Sequence, residues 1–205
     1  MKIVLATGIY PPSIGGPATY VRQLAKELSD KGIDVTVVTY GREPKMRSMR
    51  AETDWKVVPV SVAGGPLLRW WRYSRALAQQ AVDADIVYAF SSVSCGLPLI
   101  LSGVRGPKAV LRLGGDFFWE RYTALGGRLD LQAWHRSRAL VPVFCRMMTA
   151  WILRRFDLIV FSTQFQQSLY EEHYRRLPSH SVIENAVPDS AKANRSRSDD
   201  VIRLL

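Results

Sequence analysis

The sequence predicts an α/β fold, a doubly wound and mostly parallel sheet with helices on both faces, and three observations lead to it. Short apolar runs rich in β-branched residues recur along the chain, each the length of a strand buried on both faces. Stretches with apolar residues at three- and four-residue spacing separate these runs, so that strand and helix alternate. With 205 residues, 47% hydrophobic and 22% charged, the chain is long enough to bury one sizeable core and too apolar for a disordered polymer.

KIVLATG opens the chain as a strand, and Pro17–Lys31 follows as a helix. Its apolar positions Tyr20, Val21, Leu24, Ala25 and Leu28 share a face, and Gly32 stops it. IDVTVVTYG is the second strand, completing a unit that normally closes in the right-handed sense. The alternation continues through the strand WKVVPVSV, a helix from Leu67 to Val82, the strand DIVYAF, a short helix from Leu97 to Val104 and the strand KAVLRLGG. After a glycine-rich loop, Leu131–Phe156 reads as a long helix bent at Pro142, where a backbone donor is missing. DLIVFST, a helix over Gln164–Tyr174 and the strand HSVIEN finish a single domain spanning 1–187. Residues 188–200 have no apolar periodicity and read as a linker, and VIRLL at 201–205 reads as the start of a further unit.

Several classes are excluded by the same reading. Tyr10-Pro11-Pro12 closes the first apolar run too early for a signal peptide. Ile86–Val104 lacks formal charges, yet its serines, glycines and proline divide it into a strand and a helix, not one membrane span. Cys95 and Cys145 lie far apart without metal-ligand spacing, which disfavours disulfide scaffolds and structural zinc and fits a reducing, cytoplasmic compartment. His135, His173 and His180 are dispersed, so solvated or capping roles are expected of them and no metal site is. Asp83 and Asp85 directly precede a strand, the wrong end of a parallel sheet for a ligand. Ser162 has no nucleophile-elbow context and reads as structural.

Two loops carry chemistry. Gly15 and Gly16 stand between the first strand and the first helix, where they read either as a turn that uses Gly and Pro to change direction or as a backbone without Cβ atoms that lets an anion approach a helix N-terminus. The glycine spacing is neither a dinucleotide fingerprint nor a P-loop. In RLGGDFFWERY, Asp116 and Glu120 are four residues apart and share a face if a helix begins at the loop. Asp116 reads either as a cap for that helix or as a carboxylate that binds or deprotonates a hydroxyl.

The strand followed by YPPSIGGPATYVRQLAKEL resembles the opening of the N-terminal domain of family 4 glycosyltransferases, whose GT-B architecture pairs two Rossmann-like domains. Ile33 stands where that pattern has His. RLGGDFFWERY, RRFDLIVFSTQFQQSLY and VIENAVP resemble later elements of the same domain, in the same order. The resemblance implies half of a GT-B fold, with Asp116 catalytic and Gly15, Gly16, Arg112, Glu120 and Arg121 along the cleft. It implies a retaining transfer from a nucleoside-diphosphate sugar to a glycan or lipid-linked acceptor, with no cofactor beyond the donor and no metal. The family's second domain holds the donor through a Glu-x7-Glu pair, and no two glutamates here have that spacing. Activity is therefore expected only with a donor-binding half, and the chain reads either as truncated or as completed by a separate polypeptide.

Net charge is +10, and it is concentrated. Arg69, Arg72 and Arg75 lie beside Trp70 and Trp71 with no acid among them, and Arg128, Arg136, Arg138, Arg146, Arg154 and Arg155 face only Asp130. Interfacial aromatics with arginines suit a helix on an anionic bilayer, so Arg69, Trp70, Trp71, Arg72 and Arg75 are read as the membrane contact of a peripheral protein on the inner face of the cell membrane. A non-catalytic peripheral protein that binds lipid-linked glycan or a partner transferase is the alternative. Nucleic-acid binding is not expected, because no reading helix or RNP-like segment is present.

Overall fold

The computed structural model describes residues 1–41 and 53–184. Seven strands, β1 (Lys2–Thr7), β2 (Asp34–Tyr40), β3 (Lys56–Val60), β4 (Ile86–Ala89), β5 (Lys108–Leu113), β6 (Leu158–Phe161) and β7 (Ser179–Val182), form one sheet in the order β3-β2-β1-β4-β5-β6-β7. All six pairings are parallel, so the sheet is wholly rather than mostly parallel. The helices are α1 (Gly16–Asp30), α2 (Gly65–Gln80), α3 (Leu97–Leu101), α4 (Phe117–Ala124), α5 (Leu131–Arg136), α6 (Leu140–Leu153) and α7 (Gln164–His173). A π-helical turn at Ser92–Gly96, not expected from the sequence, leads into α3. The proposed linker 188–200 and the closing VIRLL lie outside the described residues.

Alternation along β1 divides the core. Ile3 and Leu5 pack with Val35 and Val37 under Val21 and Ala25 of α1. Val4 and Ala6 face the other way, where Tyr73 and Leu77 of α2, Leu97 of α3, Ile152 of α6 and Tyr170 of α7 cover the sheet. Tyr73 ties α2 to the strand ends: its buried hydroxyl lies 3.0 Å from Thr7 O and 2.8 Å from Val38 O. Tyr73→Phe is expected to lower the free energy of unfolding by about 1–2 kcal/mol, measured by urea denaturation, because the single hydroxyl proton shared between those two buried carbonyls is lost.

Leu131–Phe156 is two helices, not one bent helix. The chain breaks at Ser137–Ala139, and Pro142 falls in the first turn of α6, where a missing N–H costs no intrahelical bond. The break is held by Arg146, whose guanidinium donates to Trp134 O at 3.0 Å and Ser137 O at 2.8 Å. The order in which strands are added reverses about β1, which has β2 on one side and β4 on the other, so a crevice opens at the carboxyl ends of these parallel strands.

Candidate functional site

That crevice is a cavity of about 600 Å³ walled by the loop after β1, the first turn of α1, the π-helical turn and the loop after β5. Gly16, Arg112, Gly115 and Glu120 all line it, so the two loops singled out in the sequence converge on one space. Gly15 caps α1 beside the cavity, and a Cβ there would stand 2.8 Å from Ile9 Cδ1. A Cβ on Gly16 would meet nothing within 4 Å, so no packing in the domain demands that glycine.

Arg112, 4% exposed near the end of β5, is fixed from several sides. Its guanidinium lies over the Tyr20 ring at 4.5 Å from the centroid and donates to Ile183 O at 2.7 Å. Arg69 also lines the cavity, stacked over Tyr40 at 5.3 Å, although it was expected at a membrane surface. Tyr20 was read as part of the apolar face of the first helix, and Tyr40 and Ser94 were given no site role, since periodicity does not mark which side chains border a crevice.

The two carboxylates separate into different environments. Asp116 is 5% exposed and is the N-cap of α4, its Oδ1 accepting from the Trp119 N–H at 3.0 Å. Its Oδ2 is met at 3.0 Å by His135 Nε2 and at 3.0 Å by the Tyr170 hydroxyl. Burial alone would raise its pKa, but the hydrogen bonds from His135, Trp119 N–H and Tyr170 outweigh it and hold the carboxyl below its ordinary range. Among the described residues His135 Nδ1 has no hydrogen-bond partner, so a proton on Nε2 is the tautomer that leaves no buried donor unmet. His135 is thus a buried partner of Asp116, not the solvated histidine expected from its isolation in sequence. Asp116 does not line the cavity; Glu120, one helical turn on, does. Glu120 is exposed at the cavity wall, and partial desolvation together with the nearby Asp116 charge raises its pKa from the ordinary glutamate value. The glycine at 115 makes room for that carboxylate, since a Cβ would collide with Glu120 Oε1. Arg121 is exposed on α4 and does not line the cavity.

The remaining residues assigned to a membrane face divide. Trp70 packs against the core, and Arg72 donates to Ala63 O at 2.7 Å. Trp71 is 54% exposed, with Arg75 stacked over it at 5.1 Å. Asp85 receives the Lys2 N–H at 2.7 Å, at the amino ends of the strands and away from the crevice. No cluster of three or more His, Cys, Asp or Glu side chains able to hold a metal ion occurs among the described residues. Burial pushes the Cys95 thiol up to about 12, so it is an inert core group.

A wholly parallel sheet with a crevice at its topological switch point, bordered by a glycine-led helix start and two arginines, is a Rossmann-like domain, and its fold is that of one half of the GT-B glycosyltransferases on which it superposes. The sequence pattern of Glycosyltransferase Family 4 matches residues 14–191, and the chain belongs to that family. No curated protein sequence matches it. Among solved structures, sucrose-phosphate synthase from Thermosynechococcus elongatus superposes with a TM-score of 0.62 at 15% identity, covering 94% of this chain and 52% of that one. Anabaena HepE in complex with UDP and glucose gives 0.60 at 17% identity, covering 91% and 45%. A lipopolysaccharide outer core galactosyltransferase gives 0.56 at 12% identity, covering 91% and 46%. The chain therefore spans about half the length of these proteins.

Proposed function

We propose that this chain is the acceptor-binding half of a retaining glycosyltransferase that moves a sugar from a nucleoside-diphosphate donor to a hydroxyl of a glycan or lipid-linked acceptor in cell-envelope polysaccharide synthesis. The observation that carries the proposal is the convergence of Gly16, Arg112 and Glu120 on one crevice in a chain of this family. HepE with UDP and glucose, and the lipopolysaccharide galactosyltransferase, support it as proteins of similar fold.

In this reading Glu120 accepts a hydrogen bond from the acceptor hydroxyl, and its raised pKa suits it to hold that proton as the hydroxyl becomes more acidic. Arg112 and Arg69 give the wall positive charge, which favours an anionic leaving group. Gly16 leaves room for a phosphate at the start of α1. Asp116 acts at one remove, as a positioning residue that fixes the turn carrying Glu120. Arg121 and Gly15 flank the site. The donor is a substrate, and we assign no cofactor. Transfer requires a donor-binding half, and we place the protein in the cytoplasm, on the inner face of the membrane, where a lipid-linked acceptor would be presented.

Turnover of nucleoside-diphosphate sugars with glycan acceptors tests this. Residues 1–205 alone are expected to give no transfer, and supplying a donor-binding half with the Glu-x7-Glu site, fused in the same chain or as a second polypeptide, is expected to give it. Ordinary turnover by the chain alone would overturn the half-site assignment. In the restored enzyme, Gly16→Ala is expected to raise the donor KM at least tenfold, about the effect of one intruding methyl group, while the unfolding temperature is unchanged.

A further inference from the structure

We infer that the outward face of α6 docks on an anionic lipid bilayer. This goes beyond the glycosyltransferase assignment and does not depend on turnover. Helix α6 is apolar apart from Arg146, which is turned back onto Trp134 O and Ser137 O, and Thr149, and its inner face is accounted for by the buried Pro142, Thr149, Ile152 and Leu153. Its outer face is bare: Leu140, Phe144, Met147 and Trp151 are between 42% and 88% exposed. These four recur at the alternating four- and three-residue steps that keep side chains in one row. A row of that size on one helix of a folded domain marks a contact surface, not incidental exposure.

Charge selects the occupant. No Asp or Glu occurs from Leu131 to Phe156, while Arg138 precedes the row and Arg154 and Arg155 end it, all three exposed. Arg154 continues the spacing of the row, and Arg155 stacks over Trp151 at 5.2 Å from the ring centroid. Apolar side chains and an indole bordered by cations that form no ion pair among the described residues match the acyl boundary and the phosphates of a membrane surface. The helix is too short to span: no described helix is long and apolar enough to cross a membrane, so the contact is with one leaflet. On α2, by contrast, Arg69 and Trp70 turn inward, which leaves a smaller outer patch around Trp71.

Flotation of the purified protein with vesicles of phosphatidylcholine, with and without phosphatidylglycerol, tests the inference. Binding is expected only with phosphatidylglycerol and is expected to weaken as salt is raised. Arg154→Gln and Arg155→Gln should each weaken it about fivefold. Phe144→Glu with Met147→Glu should weaken it more than tenfold, with an unchanged circular dichroism spectrum because both side chains face solvent. Trp71→Glu on α2 should leave binding within about twofold. The inference is overturned if the wild type fails to bind, if the α2 variant rather than the α6 variants abolishes binding, or if light scattering shows a dimer that Phe144→Glu dissociates without any vesicle binding by the wild type.

Discussion

Asp116→Ala is expected to lower the free energy of unfolding by about 3–5 kcal/mol, the largest stability effect of any single substitution at the site. The carboxylate is buried and meets three donors: the Trp119 N–H, His135 Nε2 and the Tyr170 hydroxyl. Alanine leaves His135 and Tyr170 as buried groups without a partner and uncaps α4, and each loss is costly without water to replace it. Asp116→Asn, which can still cap, should cost less. The pH dependence follows from the direction of the shift. Because the folded state holds the Asp116 pKa below its unfolded value, the stabilisation is complete above about pH 4 and is lost as pH falls through the lower folded value. Urea denaturation across that range should show a steeper acid loss in the wild type than in Asp116→Asn. Equal slopes would remove Asp116 from the account of acid stability.

Glu120→Gln is expected to lower kcat/KM of the complete enzyme, donor-binding half included, by about a hundredfold while leaving stability within about 0.5 kcal/mol. The carboxylate lines the cavity without an ion-pair partner among the described residues, so its removal disturbs the substrate side and little else. Its raised pKa gives a second reading: the acid limb of the kcat/KM profile should lie above the ordinary Glu value of about 4.3 and vanish in Glu120→Gln. Gly115→Ala should reproduce much of the loss with Glu120 still present, since the new methyl displaces Glu120 Oε1. A Glu120→Gln enzyme with an unchanged pH profile would return the proton-accepting role to another group.

The order of strands and helices was legible because each strand is a compact β-branched run and each helix keeps its period, and β1 followed by α1 shows both within thirty residues. The two loops of the crevice were legible too, because glycine pairs follow β1 and β5 at the carboxyl ends of the strands, where parallel sheets place their ligand sites. Contacts across long sequence separations were not. Asp116 meets His135 at a separation of 19 residues and Tyr170 at 54, and nothing local at any of the three positions signals the others. Its capping role, by contrast, was one of the two readings the sequence offered. Arg69 illustrates a different limit: basic periodicity places it on a helix but cannot decide whether it turns toward bilayer or crevice, and stacking on Tyr40 settles the direction. Pro142 misled because a proline at the third position of a helix looks, in sequence, the same as one in its middle.

Helix α4 is anchored at its first turn and, on our reading, works one turn later. Its outer surface, Arg121 included, carries none of that anchoring. Under the proposed function, substitutions on that exposed rim would alter the contact with an acceptor while leaving the buried Asp116, His135 and Tyr170 cluster in place.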